Sequence, residues 1–344
     1  MAAAEPAGRT ATEVLRWSRE LVTPALRASV DTLPVTMRRI CGYHFGWCDA
    51  DGHPVAGNGG KALRPTLVLL AAAAVGGVPE AAVPAAVAVE LAHNFSLLHD
   101  DVMDGDVTRR HRPTAWTVFG VNAAILAGDA LITAAFDVLA ASGRPAALAA
   151  VRLLSGAVLE LVDGQSLDMS FERRADVELA ECEQMAEGKT GALIGASCAI
   201  GAAFGAASPE QSVHIGQFGG RLGLAFQLVD DLLGIWGDPA VTGKPVYSDL
   251  ASRKKSLPVV VALNSDTPAG IELASLYHGA QPLSDADLVH AADLIERAGG
   301  RAWCQERADE LLDKALRHLA AADPVPAAAA ELAGIARMIT RRDH

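Results

Sequence analysis

The 344 residues are 51% hydrophobic, 20% charged and only 5% aromatic. Such a chain is too apolar to be disordered and buries a large core, built here mainly of Ala, Leu and Val. With 29 Lys and Arg against 41 Asp and Glu, the net charge is −12, which excludes broad electrostatic binding to nucleic acid because no excess of cations exists to release counterions.

An anionic substrate would therefore have to be met by local cations or by metal ions. Five scattered cysteines, Cys41, Cys48, Cys182, Cys198 and Cys304, are expected to be reduced thiols, which points to a cytoplasmic protein. Residues 1–10 carry no basic stretch followed by an apolar one, so they are no secretory signal and are expected to be flexible. Cys41, His44 and Cys48 lie close together in sequence, but no fourth ligand follows at the spacing of a zinc module.

In chain order, Asp49–Gly60 is rich in Gly, Asp and Pro and is expected to be a loop. Long runs with apolar residues three and four apart predict helices over Ala81–Met103, Ala123–Ala141, Ala146–Asp168 and Val213–Trp236. Gly191–Ser208 carries no charge over a length close to a membrane span. Its Gly, Ala and Ser contribute little transfer energy, and small residues four apart let helices approach closely, so a buried helix is expected rather than stable membrane insertion. Gly237–Pro245, with two prolines and two glycines, breaks the helical pattern. Ala320–Ala329 is either a loop or the start of an Ala-rich helix. Strand-like alternation is scarce and no linker or repeat stands out, so residues 11–344 are expected to form one all-α domain.

The sharpest local feature is HNFSLLHDDVMDGDVTRRHRP, His93 to Pro113. At about 100° per residue, Asp100 and Asp104 fall on one helix face a turn apart, with Asp101 beside them. Three carboxylates so close repel one another, and burying them unpaired is costly. Hard oxygen ligands from adjacent turns suit Mg²⁺, which completes its shell with water and substrate phosphates. Arg109 and Arg110 follow, and guanidinium forks match phosphate oxygens. A second acidic pair, Asp230 and Asp231, ends another apolar run in FQLVDDLLGIWGDPAVTGKP, with Gln227 one turn before Asp231. Two acidic sites on separate helices facing one cavity would clamp a diphosphate through several metals.

The remaining basic residues come in short pieces: Lys61 and Arg64 in GGKALRP, Lys189 in GKTG, Lys244 in TGKP, and Arg253-Lys254-Lys255. Gly188-Lys189-Thr190 is not a nucleotide P-loop, because Glu183 stands where that motif needs glycine and no strand precedes it. No dinucleotide fingerprint and no G-x-S-x-G elbow occurs either.

On these motifs, in this order and spacing, the chain resembles the trans-isoprenyl diphosphate synthases of the polyprenyl synthetase family. The resemblance is clearest from Gly59 to Pro258. It implies a helical bundle of the isoprenoid-synthase type around a central cavity, a homodimer, and Mg²⁺, three ions bound with the diphosphate. Asp100, Asp101 and Asp104 match the family's first metal-binding motif, and Asp230 and Asp231 its second. Lys61, Arg64, His93 and Arg110 would hold isopentenyl diphosphate. Arg109, Lys189, Thr190, Gln227, Lys244 and Lys254 would bind the allylic diphosphate, and Gln165 and Asp168 would line its pocket. The implied reaction is head-to-tail prenyl transfer to a short all-trans product. Phe95, five positions before Asp100 and next to Ser96, resembles the aromatic floor of enzymes that stop at geranylgeranyl diphosphate, with farnesyl diphosphate the next expectation. Arg253–Lys255 is a candidate closing lid.

One position departs from the pattern: the second motif reads Asp-Asp-Leu-Leu-Gly, with Gly234 in place of a third aspartate. Asp238, two turns on from Asp230, or a water molecule is the sequence's candidate to compensate. A class I terpene cyclase shares the implied fold, but it needs no isopentenyl site, against GGKALRP and Arg109-Arg110. A non-catalytic partner subunit is the other alternative, against which the retained acidic motifs stand.

Overall fold

The computed structural model describes residues 8–55, 60, 62–239, 246–277, 279 and 281–340. Lys61 and Lys244 therefore lie outside the described residues. Contacts group the chain into two compact units: Met1–Val158, Ala196–Gln217 and His318–Gly334 in the first, and Leu159–Gly195, Phe218–Arg317 and Ile335–His344 in the second.

In the first unit, Thr10 opens α1 (Ala11–Asp31) with a capping box, its amide bonding Glu13 Oε2 at 2.9 Å and its hydroxyl accepting from Glu13 N. The box satisfies two amide donors that the first helical turn leaves open. Val14, Ser18, Val22, Leu26 and Val30, four apart, form the buried stripe. Just before it, Arg9 donates two 2.8 Å bonds to Glu331 and lies 4.0 Å over the Trp17 ring. The end of the stretch expected to be flexible is thus anchored from Arg9 onward. Helices α2 (Val35–His44), α3 (Leu63–Ala74), α4 (Val83–Met103), α5 (Ala115–Phe119) and α6 (Val121–Ala140) follow, and α4 packs against α1, α3 and α6.

The uncharged stretch forms α9 (Ala192–Phe204), only 13 residues long. Its small residues act as expected. A Cβ on Gly201 would collide with Val68 O and come within 2.9 Å of Ala71 Cβ, so glycine there lets α9 lie directly on the backbone of α3. Two other helical segments, Pro79–Met103 and Val121–Ala140, are long and apolar enough to cross a membrane; the first is mostly buried in the protein.

Between α4 and α5 the chain makes the only strand pair among the described residues, β1 (Thr108–Arg109) against β2 (Arg112–Pro113). Arg110 and His111 at its tip have φ of 52° and 60°. A tight two-residue hairpin needs positive φ at both central residues, at a cost of about 1–2 kcal/mol for each non-glycine. The hairpin is held by Tyr43 Oη donating to Pro113 O at 2.8 Å and by Arg112 donating to Tyr43 O and Cys48 O.

In the second unit, the later part of α7 (Ala147–Phe171), α8 (Leu179–Ala186) and the later part of α10 (Pro209–Trp236) surround a core of Phe171, Cys182, Leu228, Leu232, Leu257 and Leu311. α11 (Ser248–Ala251), α12 (Leu257–Leu263), α13 (Pro268–Tyr277), α14 (Asp285–Arg297), α15 (Gly300–Ala321) and α16 (Pro326–Thr340) complete the chain. The ambiguous Ala320–Ala329 resolves into the end of α15, a short break and the start of α16, where Pro326 occupies the first turn that tolerates it.

Candidate functional site

The first acidic motif ends α4. Asp104 is its C-cap, and its amide bonds Asp100 O at 2.8 Å, so the two side chains keep the one-turn spacing expected from sequence. Asp104 is exposed and Asp100 half-buried, whereas Asp101 turns inward and is 1% exposed. Asp101 Oδ1 accepts from Arg109 Nε at 2.6 Å. Its Oδ2 is buried without a hydrogen-bond partner. Burial pushes the Asp101 carboxyl up to about 6 even with Arg109 beside it. Among the three aspartates, Asp101 therefore positions an arginine while Asp100 and Asp104 lie on the outer side.

Behind them is a cationic nest. Arg64 Nη1 lies 3.2 Å from His93 Nε2; a guanidinium can only donate, so that nitrogen accepts and the imidazole is neutral. Burial, then Arg64, Arg110 and Arg109, hold His93 well below the usual histidine range. A Cβ on Gly60 would fall 2.9 Å from Arg110 Nη2, which places the Arg110 guanidinium against that backbone. Glu90, buried under the nest and hydrogen-bonded to Asn94 Nδ2 at 3.1 Å, is raised by its burial and lowered in part by Arg64 and Arg110.

His44, at the end of α2, belongs to the same nest, whereas the sequence offered it only as a neighbour of Cys41 and Cys48. Burial and then Arg110 and Arg109 lower its pKa to about 3. A histidine depressed in the folded state contributes stability that is fully present above about 6.5 and is lost as pH falls toward 3. Asp101 and Glu90, raised in the fold, act in the opposite direction, so the wild type must be compared with a variant. Between pH 6.5 and 5, His44→Gln is expected to lose about 1–2 kcal/mol less stability than the wild type, as read by urea unfolding; parallel pH curves would contradict the assignment.

The second unit holds the other motif residues. Glu187–Gly191 widens into a π-turn between α8 and α9, a feature that re-aims side chains. From it Lys189 Nζ reaches Asp168 Oδ2 at 2.6 Å, and Thr190 Oγ1 donates to Gln227 Oε1 at 2.5 Å. Gln227 Nε2 in turn donates to Asp231 Oδ1 at 2.6 Å, and the amide of Leu257 donates to Asp231 Oδ2 at 2.9 Å. Asp231 thus satisfies an open amide at the start of α12, and burial pushes its carboxyl up to about 6. Asp230, its neighbour, is exposed. Gln165 is 4% exposed, one turn before Asp168 on α7.

Lys254 is held protonated against its burial by Asp249, Asp231, Asp168 and Asp230, in that order. The expected lid is docked: Arg253 donates to Gly279 O and Gln281 O, and Lys255, 5% exposed, lies over the Tyr277 ring at 5.6 Å. Asp238 is exposed two residues beyond α10. Phe95 is buried, edge-on to His99 at 4.8 Å.

Sequence reasoning missed the glycine crossing that sets Lys189. A Cβ on Gly164 would collide with Lys189 N and lie 2.9 Å from Gly188 C and Met185 O. The available signal was the glycine directly preceding Gln165. Cys41 and Cys48 donate to backbone carbonyls of Ala127 and Arg39. Among the described residues, the metal-like grouping is instead Asp49, Asp51 and His53. There Asp49 Oδ1 accepts from the amides of Asp51 and His53, as a loop-capping aspartate does.

The sequence profile of the polyprenyl synthetase family matches residues 47–295. The (2E,6E)-farnesyl diphosphate synthase of Mycobacterium tuberculosis is 48% identical over 332 residues, 96% of this chain and 92% of that one. The geranylgeranyl diphosphate synthase of the same organism is 45% identical over 321 residues, 93% of this chain and 91% of that one. The crystal structure of a polyprenyl synthetase from Streptomyces coelicolor superposes with a TM-score of 0.92 at 46% identity, covering 95% of this chain and 99% of that one. With the acidic pairs, the cationic nest and the all-α architecture all of one kind, the chain belongs to the polyprenyl synthetase family.

Proposed function

We propose that the protein is a Mg²⁺-dependent prenyl diphosphate synthase that joins an allylic diphosphate head-to-tail to isopentenyl diphosphate. One observation carries the reading. Each acidic motif turns its second aspartate into the protein, Asp101 onto Arg109 and Asp231 onto Gln227 and Leu257 N, and leaves its first less buried, Asp100 half-buried and Asp230 exposed. The same arrangement recurs on both motifs, a carboxylate fixed by protein donors beside one nearer the solvent, and carboxylate oxygens grouped in this way suit a hard cation.

The donors fit a hard divalent cation. They are carboxylate oxygens throughout, the donor chemistry such an ion takes. Asp100 and Asp104 in the first unit, and Asp230 in the second, would each serve as ligands to Mg²⁺, an ion that when bound with a diphosphate neutralises its charge and makes it a better leaving group. Arg109, Lys189 and Lys254 serve the allylic diphosphate, with Lys244 assigned to the same task by motif. Thr190 and Gln227 fix the π-turn that aims Lys189. Arg64 and Arg110 take the isopentenyl diphosphate together with Lys61, while neutral His93 keeps Arg64 oriented. As the allylic C–O bond breaks, the double bond of isopentenyl diphosphate attacks the allylic carbon, and a proton is then lost, with the departing diphosphate as base. Water must stay out, or the cation is quenched to an alcohol.

Geranylgeranyl diphosphate is the proposed product and farnesyl diphosphate the next choice, on the strength of buried Phe95 below the first motif. The chain is taken to work as one cytoplasmic domain and as a homodimer; exposed Ile125, Leu126, Leu148, Leu159 and Val162 on α6 and α7 support a partner surface.

The test is a product assay with labelled isopentenyl diphosphate, Mg²⁺ and allylic primers of increasing length, with products sized by mass spectrometry. Label in a geranylgeranyl product supports the reading, cyclic hydrocarbons from primer alone would replace it with a cyclase, and inactivity restored by a partner protein would make it a subunit. Phe95→Ala is expected to lengthen the product by at least one isoprene unit; an unchanged product would remove Phe95 as the floor.

A further inference from the structure

Gly234 stands one helical turn after Asp230 on α10, on the same face. A Cβ built there would fall on Asp249 Oδ2, 2.5 Å from Asp249 Cγ and 3.0 Å from Oδ1. The place where a third aspartate of the second motif would begin is therefore already filled by a carboxylate from elsewhere in the chain. We propose that Asp249 supplies the third carboxylate of the second acidic motif, with Gly234 as the gap that admits it.

The segment that brings Asp249 is fastened to the end of α10. Tyr247 N bonds Ile235 O at 3.3 Å, and Ser248 Oγ lies 3.5 Å from Gly234 O and 3.3 Å from Asp249 Oδ1. Tyr247, at φ 64°, makes the left-handed turn that starts α11. The amide of Lys254 then bonds Asp249 O at 2.9 Å, closing the segment back on itself. Asp249 is half-buried, whereas Asp238 is exposed and beyond the helix.

Electrostatics assign Asp249 to the same acidic set as the motif. It leads the carboxylates that keep Lys254 protonated, ahead of Asp231, Asp168 and Asp230. A side chain at 234 would displace the Asp249 carboxylate from its present seat, and two carboxylates so close repel, so glycine at 234 leaves that seat to Asp249. The carboxylate count that a divalent cation and a diphosphate require is kept, although the motif is one aspartate short.

This inference rests on the proposed prenyl transfer, and its test separates the two. Mn²⁺ binding in the presence of inorganic diphosphate is followed by electron paramagnetic resonance, and thermal unfolding without metal is measured beside it. Asp249→Asn is expected to weaken diphosphate-dependent Mn²⁺ binding about ten- to hundredfold, with a somewhat lower metal-free Tm because Lys254 loses its leading carboxylate. Gly234→Asp alone is expected to weaken binding and to lower Tm through the clash with Asp249. Gly234→Asp/Asp249→Gly, which moves the carboxylate onto the helix, is expected to return Mn²⁺ binding to the wild-type range. Wild-type binding by Asp249→Asn, or a double variant as weak as Asp249→Asn, would overturn the assignment. Absence of diphosphate-dependent Mn²⁺ binding in the wild type would overturn the proposed function together with it.

Discussion

Asp100→Asn is expected to lower kcat for prenyl transfer about 10³- to 10⁴-fold, the several kcal/mol that charge stabilisation at a metal–diphosphate contributes. The substitution keeps the volume and the helix-terminal geometry of the side chain and removes only its charge. Asp101→Asn should act differently. Asp101 is tied to Arg109 Nε, so losing its charge loosens that arginine and should raise KM for the allylic diphosphate more than it lowers kcat. Steady-state kinetics over a Mg²⁺ series separates the two variants. If Asp100→Asn lost less than about tenfold, the division of labour between outward and inward aspartates would fail.

The other large effect is expected far from any charge. At Gly164 on α7, an added Cβ meets the backbone of the crossing segment: Lys189 N, Gly188 C and Met185 O. No side-chain rotamer can relieve that overlap, so α7 and the π-turn must move apart. Gly164→Ala is expected to cost about 1–3 kcal/mol of stability and, by shifting Lys189 about an ångström from Asp168, about a hundredfold in kcat. Gly156→Ala on the same helix is the control. Nothing lies within 4 Å of a Cβ there, so the change should leave activity intact and stabilise slightly through helix propensity. Thermal melts and kcat of the two variants decide the matter; matching behaviour would mean that the α7 crossing does not set the lysine.

These expectations mark where the sequence was readable. Spacing alone placed Asp100 and Asp104 on one face, and small residues four apart foretold that α9 would be buried, as Gly201 against α3 bears out. Periodicity says which face a residue lies on but not what meets it. For that reason the inward engagement of Asp101 and Asp231 was not legible, since their partners, Arg109 and the amide of Leu257, depend on tertiary packing. The segment Arg253–Lys255 looked like a lid because it is basic, yet three consecutive cations say nothing of the Gly279 and Gln281 carbonyls that hold Arg253. Asp238 was chosen as compensation for Gly234 by proximity in sequence. The carboxylate in contact comes from Asp249, brought back by a turn that no spacing rule encodes.

The hairpin between α4 and α5 constrains how this chain can change. Surface turns ordinarily accept insertions and deletions. Here the two-residue tip sends Arg109 to Asp101 and Arg110 to the backbone of Gly60, although the two arginines are adjacent in sequence. One added or deleted residue would reverse the side-chain alternation of the pair and misdirect both guanidinium groups at once. The loop therefore has a fixed length even though it lies at the surface, and substitutions are open to drift or to engineering where changes in length are not.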